Sequence, residues 1–203
     1  MEFKDRFRGY LPVVIDLETG GFNVDEHPLL ELACTFLNWD DANRMLEVGQ
    51  THAWDVVPYP GSVVDPASLK VTGIDLSSER REAIEEKVVL NEFFKLVRTQ
   101  MKQNGCHRSV MVAHNASFDA SFLNRSVMRA GIKRNPFHPF TTIDTAALGA
   151  VAFGHTVLSE VCRRANVEFQ HVEAHSAKYD AERTAQVFCR IVNNWPLDVS
   201  GWQ

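Results

Sequence analysis

Asp16 and Glu18 stand on either side of Leu17 in VVIDLETGGF, Asp119 sits in AHNASFDASF, and His175 precedes Asp180 by five residues in AHSAKYDAERTA. Carboxylates bind hard divalent ions through oxygen, and imidazole moves protons near neutral pH. Side chains two apart on a strand share a face, which places Asp16 and Glu18 together with Cα atoms about 6.6 Å apart. Two carboxylates about 5 Å apart in an effective dielectric near 20 repel by roughly 3 kcal/mol, so a proton or a metal ion should bridge them.

Each of these residues also has a plainer reading. Asp16 and Glu18 could face water at a solvated strand end. Asp119, in the first turn of a helix that Asn115 or Ser117 would cap, could serve only the helix dipole. Asp180 could belong to a buried ion pair or a cap, and His175 could be a capping or loop histidine.

The elements that must position these groups can be read from the patterning. β-branched and aromatic residues cluster at Leu11–Leu17, Leu30–Leu37, His52–Val57 and Ser109–Ala113, which predicts strands. Ile84, Val88, Phe93, Val97 and Met101 recur at helical spacing and end at Asn104-Gly105, a turn or C-terminal cap. Further helices are predicted at about Ser117–Ala130, Thr156–Ala165 and Ala177–Asn193, with loops around Gly20–Pro28, Trp39–Gly49 and Pro58–Asp65. Strands first and then helices alternating with strands predict an α/β sheet with helices against its faces.

The bulk properties narrow the setting. The chain of 203 residues suffices for one well-cored domain. Its four cysteines, Cys34, Cys106, Cys162 and Cys189, form no CxxC pair, and are read as reduced packing residues rather than disulfides or a thiolate zinc site. No apolar run is long enough to cross a bilayer and the charged N-terminus has no apolar leader, so a cytoplasmic protein without a membrane partner is expected. A formal charge of −5 gives no global attraction for nucleic acid, which would need local basic patches or bound cations.

Asp16, Glu18, Asp119 and Asp180 with His175, in this order and these surroundings, resemble the DEDD exonuclease family in its subgroup with an H-x4-D third motif, DEDDh. The resemblance implies a ribonuclease-H-like α/β fold, a mixed five-stranded sheet flanked by helices on both faces, with a single DEDDh exonuclease domain over 1–203. It also implies two divalent ions, Mg²⁺ with Mn²⁺ able to substitute, and the donor set of oxygens without thiolates suits them. By resemblance Asp16, Glu18 and Asp180 hold one ion with the attacking water, and His175 is the general base. Asp16, with Asp119 acting through water, holds the other at the leaving 3′ oxygen, and nucleoside 5′-monophosphates are released.

DRFRGYLPVVIDLETGGF, GIKRNPFHPFTTIDTAAL and AHSAKYDAERTAQVFCRIVNNW extend the likeness to the ribonuclease T branch, from about Asp5 to Trp195. That branch implies a basic patch at Arg6, Arg8, Arg108 and Lys133, and a homodimer in which one subunit's patch serves the other's active site. It implies stacking of 3′-terminal bases on Phe22, Phe118 and Phe140, whereas Phe122 and Phe137 are read as core. Val71 and Ala67 depart from the branch, which commonly has phenylalanine at the first position and in some members glutamate at the second. Valine cannot stack on a base. Asp144 is given a supporting role.

The activity implied is 3′-to-5′ exoribonuclease trimming of tRNA and other stable, structured RNAs, with action on single-stranded DNA. The alternatives are a DNA-proofreading exonuclease of the same family, or a binding module that keeps the fold without the chemistry.

Overall fold

Strand β1 (Tyr10–Thr19) carries the run Leu11–Ile15, buried on both faces, and such a strand belongs in the middle of a sheet. The computed structural model, which describes residues 3–195, puts it there; the remainder of the expected 1–203 domain lies outside the described residues. A short helix α1 (Phe3–Arg6) precedes β1. Strands β2 (Leu29–Asp40) and β3 (Met45–Val57) follow as an antiparallel pair. Helix α2 (Pro66–Thr72), the two-residue strand β4 (Ile84–Glu85) and helix α3 (Glu86–Gln103) lead into β5 (Arg108–Ala113). Helix α4 (Ala116–Arg129), strand β6 (Phe137–Asp144) and helices α5 (Thr145–Phe153), α6 (Leu158–Arg164) and α7 (Ala177–Asn194) complete the order.

The sheet reads β4-β3-β2-β1-β5-β6, with β1 antiparallel to β2 and parallel to β5. These are the five long strands of the expected mixed sheet, extended at one edge by β4, with helices on both faces. The four cysteines are buried and free, as read from their spacing. Among the described residues no single helix is long and apolar enough to cross a membrane.

Cross-strand partners share a face, so Asp16 opposite Ala33 and Glu18 opposite Glu31 all point to one side of the sheet. Helix α7 covers that side. Ala33, Ala177 and Ala181 are fully buried against one another, and their small side chains let the first turn of α7 approach the sheet closely enough to hang Asp180 over β1. Ala33→Leu is expected to cost about 1–3 kcal/mol by overpacking. It should also lower the rate of the expected nuclease reaction at least about tenfold at temperatures where the variant remains folded, because α7 is displaced. Urea unfolding and an assay of that expected reaction check both parts, and an unchanged rate would show that this contact does not set the height of Asp180.

Three sequence readings need correction. Most of the predicted loop Trp39–Gly49 is strand: β2 runs to Asp40 and β3 begins at Met45. The Asp40 side chain closes the turn by accepting from Ala42 N and Asn43 N, while Asn193 of α7 grips the main chain of Leu46. The predicted face of α3 is rotated. Ile84 lies in β4 and Val88 is exposed, whereas Val89, Leu90, Phe93, Phe94 and Val97 are buried. Strand β6 and helix α5 were not predicted, since the register of β6 against β5 breaks between Ser109 and Met111 and loops out the HPFT segment.

Candidate active site

Asp16 and Glu18 lie at the carboxyl end of β1, where the chain leaves the sheet and the register with β2 shifts after Glu18. Asp119 arrives from the parallel neighbour. β5 ends at Ala113, and Asn115 takes a left-handed backbone, φ 64°, to turn into α4 without any side-chain cap, so the capping expected of Asn115 or Ser117 is replaced by a backbone turn. From outside, Asp144 fixes that turn by accepting from Asn115 N at 3.1 Å and from Ala146 N at 2.8 Å. Asp119 Oδ1 then accepts from Leu17 N at 3.1 Å, which stitches α4 to the backbone between the two β1 acids.

His175 also has a left-handed backbone, φ 67°, and its N–H donates to Asp180 Oδ2 at 3.0 Å. Asp180 therefore does act in part as the cap of its own loop. The ligand atoms of Glu18, His175 and Asp180 lie within 4.8 Å of one another, and the histidine is exposed while Asp180 is buried. Glu31, which sequence reasoning took for part of an apolar strand, faces Glu18 and accepts from Ala177 N at 3.1 Å. An acid inside the run LLELACTFL was the available signal.

Burial first, and then the charges of Asp119, Glu18, Asp180 and Glu31, push the Asp16 carboxyl well above the usual range. Burial followed by Asp180, Glu31 and Asp119 pushes Glu18 up to about 9. Asp119 rises to about 8 because burial outweighs the N–H groups of its own residue and of Leu17, and burial likewise raises Asp180 against the His175 N–H. Asp180 Oδ1 is buried with no hydrogen-bond partner. A converging set of carboxylates, one with an orphaned oxygen, is the arrangement that a divalent cation satisfies, and oxygens with one imidazole fit a hard ion.

In EDTA the folded protein holds protons on these acids that the unfolded chain has released, so its stability falls as pH rises from about 4 through the folded values near 8 and 9. The melting temperature in EDTA is expected to drop between about pH 5 and about pH 9, and a divalent salt should restore it more at the upper end. A melting temperature that climbs across this window would contradict the raised carboxyls.

The aromatic residues divide. Phe22 is 83% exposed and meets Phe118 with ring centroids 6.1 Å apart, and Phe118 leans on the buried Phe122 at 4.9 Å. Gly21, φ 155°, precedes Phe22, and a Cβ there would overlap the His27 ring that closes this loop. Phe140 is 90% exposed on the looped-out segment of β6, and its ring neighbour is His138 at 6.0 Å, so the structure does not bring it to the other two. Phe137 is buried as expected, while Val71 and Ala67 are exposed on α2.

The expected basic residues gather at the opposite end of the sheet. Arg6 donates to Val192 O and Trp195 O, Arg8 lies over the Tyr10 ring at 5.9 Å, and Arg108 is paired with Tyr10 across β1 and β5. Arg108 and Lys133 line one groove of about 810 Å³ together with Arg98 and Arg134, two cations that the sequence reading did not include.

The sequence profile of the Exonuclease family matches residues 13–188, a span that includes all five residues of the three motifs. Ribonuclease T of Shewanella frigidimarina is 47% identical over 201 residues, covering 99% of this chain and 90% of the relative. Ribonuclease T of Marinobacter nauticus is 48% identical over 190 residues, covering 94% and 86%. Among solved structures, the nuclease domain of 3′hExo, a DEDDh family member bound to rAMP, superposes with a TM-score of 0.71 at 18% identity, covering 90% of this chain and 92% of that domain. Escherichia coli exonuclease I with a dT13 oligonucleotide gives 0.68 at 15% identity, covering 91% of this chain and 41% of that one. These likenesses extend over nearly the whole chain and agree with the acids that the fold assembles, and the chain belongs to the ribonuclease T exonuclease family, whose members are 3′-to-5′ nucleases dependent on divalent metal ions.

Proposed function

We propose that this exonuclease is a ribonuclease that trims the 3′ ends of tRNA and other stable RNAs, also acts on single-stranded DNA, and uses Mg²⁺, with Mn²⁺ able to replace it. The convergence of Glu18, His175 and Asp180 within 4.8 Å carries the reading. Asp16, Glu18 and Asp180 would hold one ion, and Asp16 with Asp119 the second. When bound, the ions supply Lewis-acid activation of water and neutralise charge on the leaving 3′ oxygen.

The chain's own residues do the rest. The His175 imidazole takes the proton of the water whose oxygen bonds to phosphorus as the P–O3′ bond breaks, leaving a nucleoside 5′-monophosphate and an RNA one nucleotide shorter. Its backbone N–H, bound to Asp180, fixes where that ring stands, and Glu31 holds the start of α7 through Ala177. The exposed ring of Phe22 and the half-buried ring of Phe118 beside it form the surface on which terminal bases stack.

Tyr10 and Asp16 are about 20 Å apart on an extended strand. Arg8 and Arg108, at the Tyr10 end, therefore stand far from the acids of their own chain, which supports a homodimer whose basic patch serves the partner's site. Phe140, near the groove, would meet the strand further from its terminus.

Purified protein given Mg²⁺ and a 3′-tailed RNA should release mononucleotides and stop in EDTA. Running a mispaired DNA 3′ end beside it separates RNA trimming from proofreading, and a faster rate on the mispaired end would replace this reading. Phe22→Ala and Phe118→Ala are each expected to raise KM by a factor of about 5 to 150, from the roughly 1–3 kcal/mol of one stacked base. Steady-state kinetics on the same RNA checks it, and an unchanged KM in both variants removes the rings from the site.

A further inference from the structure

Phe118, Phe122 and Arg125 follow one another on a single stripe of α4, with Arg125 about 10 Å beyond Phe118 along the helix. The loop bearing Phe22 crosses the same helix, and its Asp25 meets Arg125 with Nε–Oδ1 2.8 Å. The pair is open to water, with side chains 41% and 65% exposed, so it contributes only about 0.2–1 kcal/mol.

The loop does not need this ion pair to keep its shape. Gly20 N bonds Pro28 O, Asp65 N bonds Gly20 O, Val63 N bonds Glu26 O, Asn23 N bonds His27 Nδ1, and the Tyr59 hydroxyl donates to Asp25 O. Arg125 thus has a weak, replaceable partner. It stands between the Phe22–Phe118 pair at the start of α4 and the basic groove at its end, which Asn124, Met128 and Lys133 help to line.

Resting on the exonuclease reading above, we infer that Arg125 binds a phosphate of the RNA strand on the 5′ side of the bases held by Phe22 and Phe118, with Asp25 as the resident counter-charge that the phosphate displaces. A guanidinium gains by the exchange, since its planar fork pairs two donors with phosphate oxygens, and the released carboxylate is already largely hydrated. Arg125 serves the carboxylates of its own chain, whereas the basic patch at the far end of the sheet is assigned to the partner's site.

The test uses a fluorescein-labelled single-stranded RNA in EDTA, where binding is read without cleavage, across a salt series. Arg125→Ala should weaken binding roughly three- to tenfold at low salt and reduce the slope of log Kd against log salt by about one. Arg125→Lys should recover the slope, and Asp25→Asn should leave binding unchanged or tighten it. Equal slopes for wild type and Arg125→Ala overturn the inference. So does Asp25→Asn weakening binding as much as Arg125→Ala, which would make the pair a lock on the Phe22 loop. Cleavage of the same RNA by the wild type with Mg²⁺ is scored separately, so failure of the exonuclease reading shows there and not in the slopes.

Discussion

Asp16→Asn is expected to slow mononucleotide release by about 10³-fold or more, about 4 kcal/mol of transition-state stabilisation, while raising the melting temperature measured in EDTA. Both effects have one cause. Burial first, and then four neighbouring acids, push the Asp16 carboxyl upward, so its charge destabilises the fold until a cation offsets it. Asparagine keeps the shape and removes the charge. The gain should be several degrees, since each kcal/mol shifts a domain of this size by about 2–4 °C. A stabilised but inactive variant identifies Asp16 as a residue kept at the expense of stability. Retained cleavage, or a melting temperature in EDTA below that of the wild type, sinks the assignment.

His175→Asn should reduce the rate by about 10²–10⁴-fold through loss of the general base, with stability within about 0.5 kcal/mol of the wild type. The substitution is chosen for the backbone. At φ 67° asparagine is among the few residues that rest without strain, whereas alanine would shift the loop and with it the N–H that holds Asp180. Kinetics at one pH, together with thermal unfolding, separates this from a folding defect. A variant that keeps the wild-type rate would show that some other group takes the proton.

The site was legible where spacing alone imposes geometry. Asp16 and Glu18 had to share a face because strands alternate, and Asp180 had to point inward because Thr184 and Phe188 share its stripe. Asp119 and His175 became legible through the order of the motifs. The left-handed turns that aim them carry Asn115 and His175 rather than glycine; these types adopt that conformation more readily than most, but they occur in other conformations far more often, so the residue type alone did not announce the turns. Strand β6 was hidden by Pro139 and a looped-out segment, and the start of β3 by polar residues that need only a short turn. Pairings such as Glu31 with Ala177, or Asp25 with Arg125, join residues that are distant along the chain, and no local pattern encodes them.

Three backbone amides, that of Leu17 in β1 and those of His175 and Ala177 at the start of α7, each donate to a different acid, Asp119, Asp180 and Glu31. Each N–H is therefore a resident gauge of the charge on its own carboxylate. A nitrogen-edited NMR spectrum followed through a proton or cation titration would resolve the filling of this site acid by acid, from resonances that need no label attached to the acids themselves.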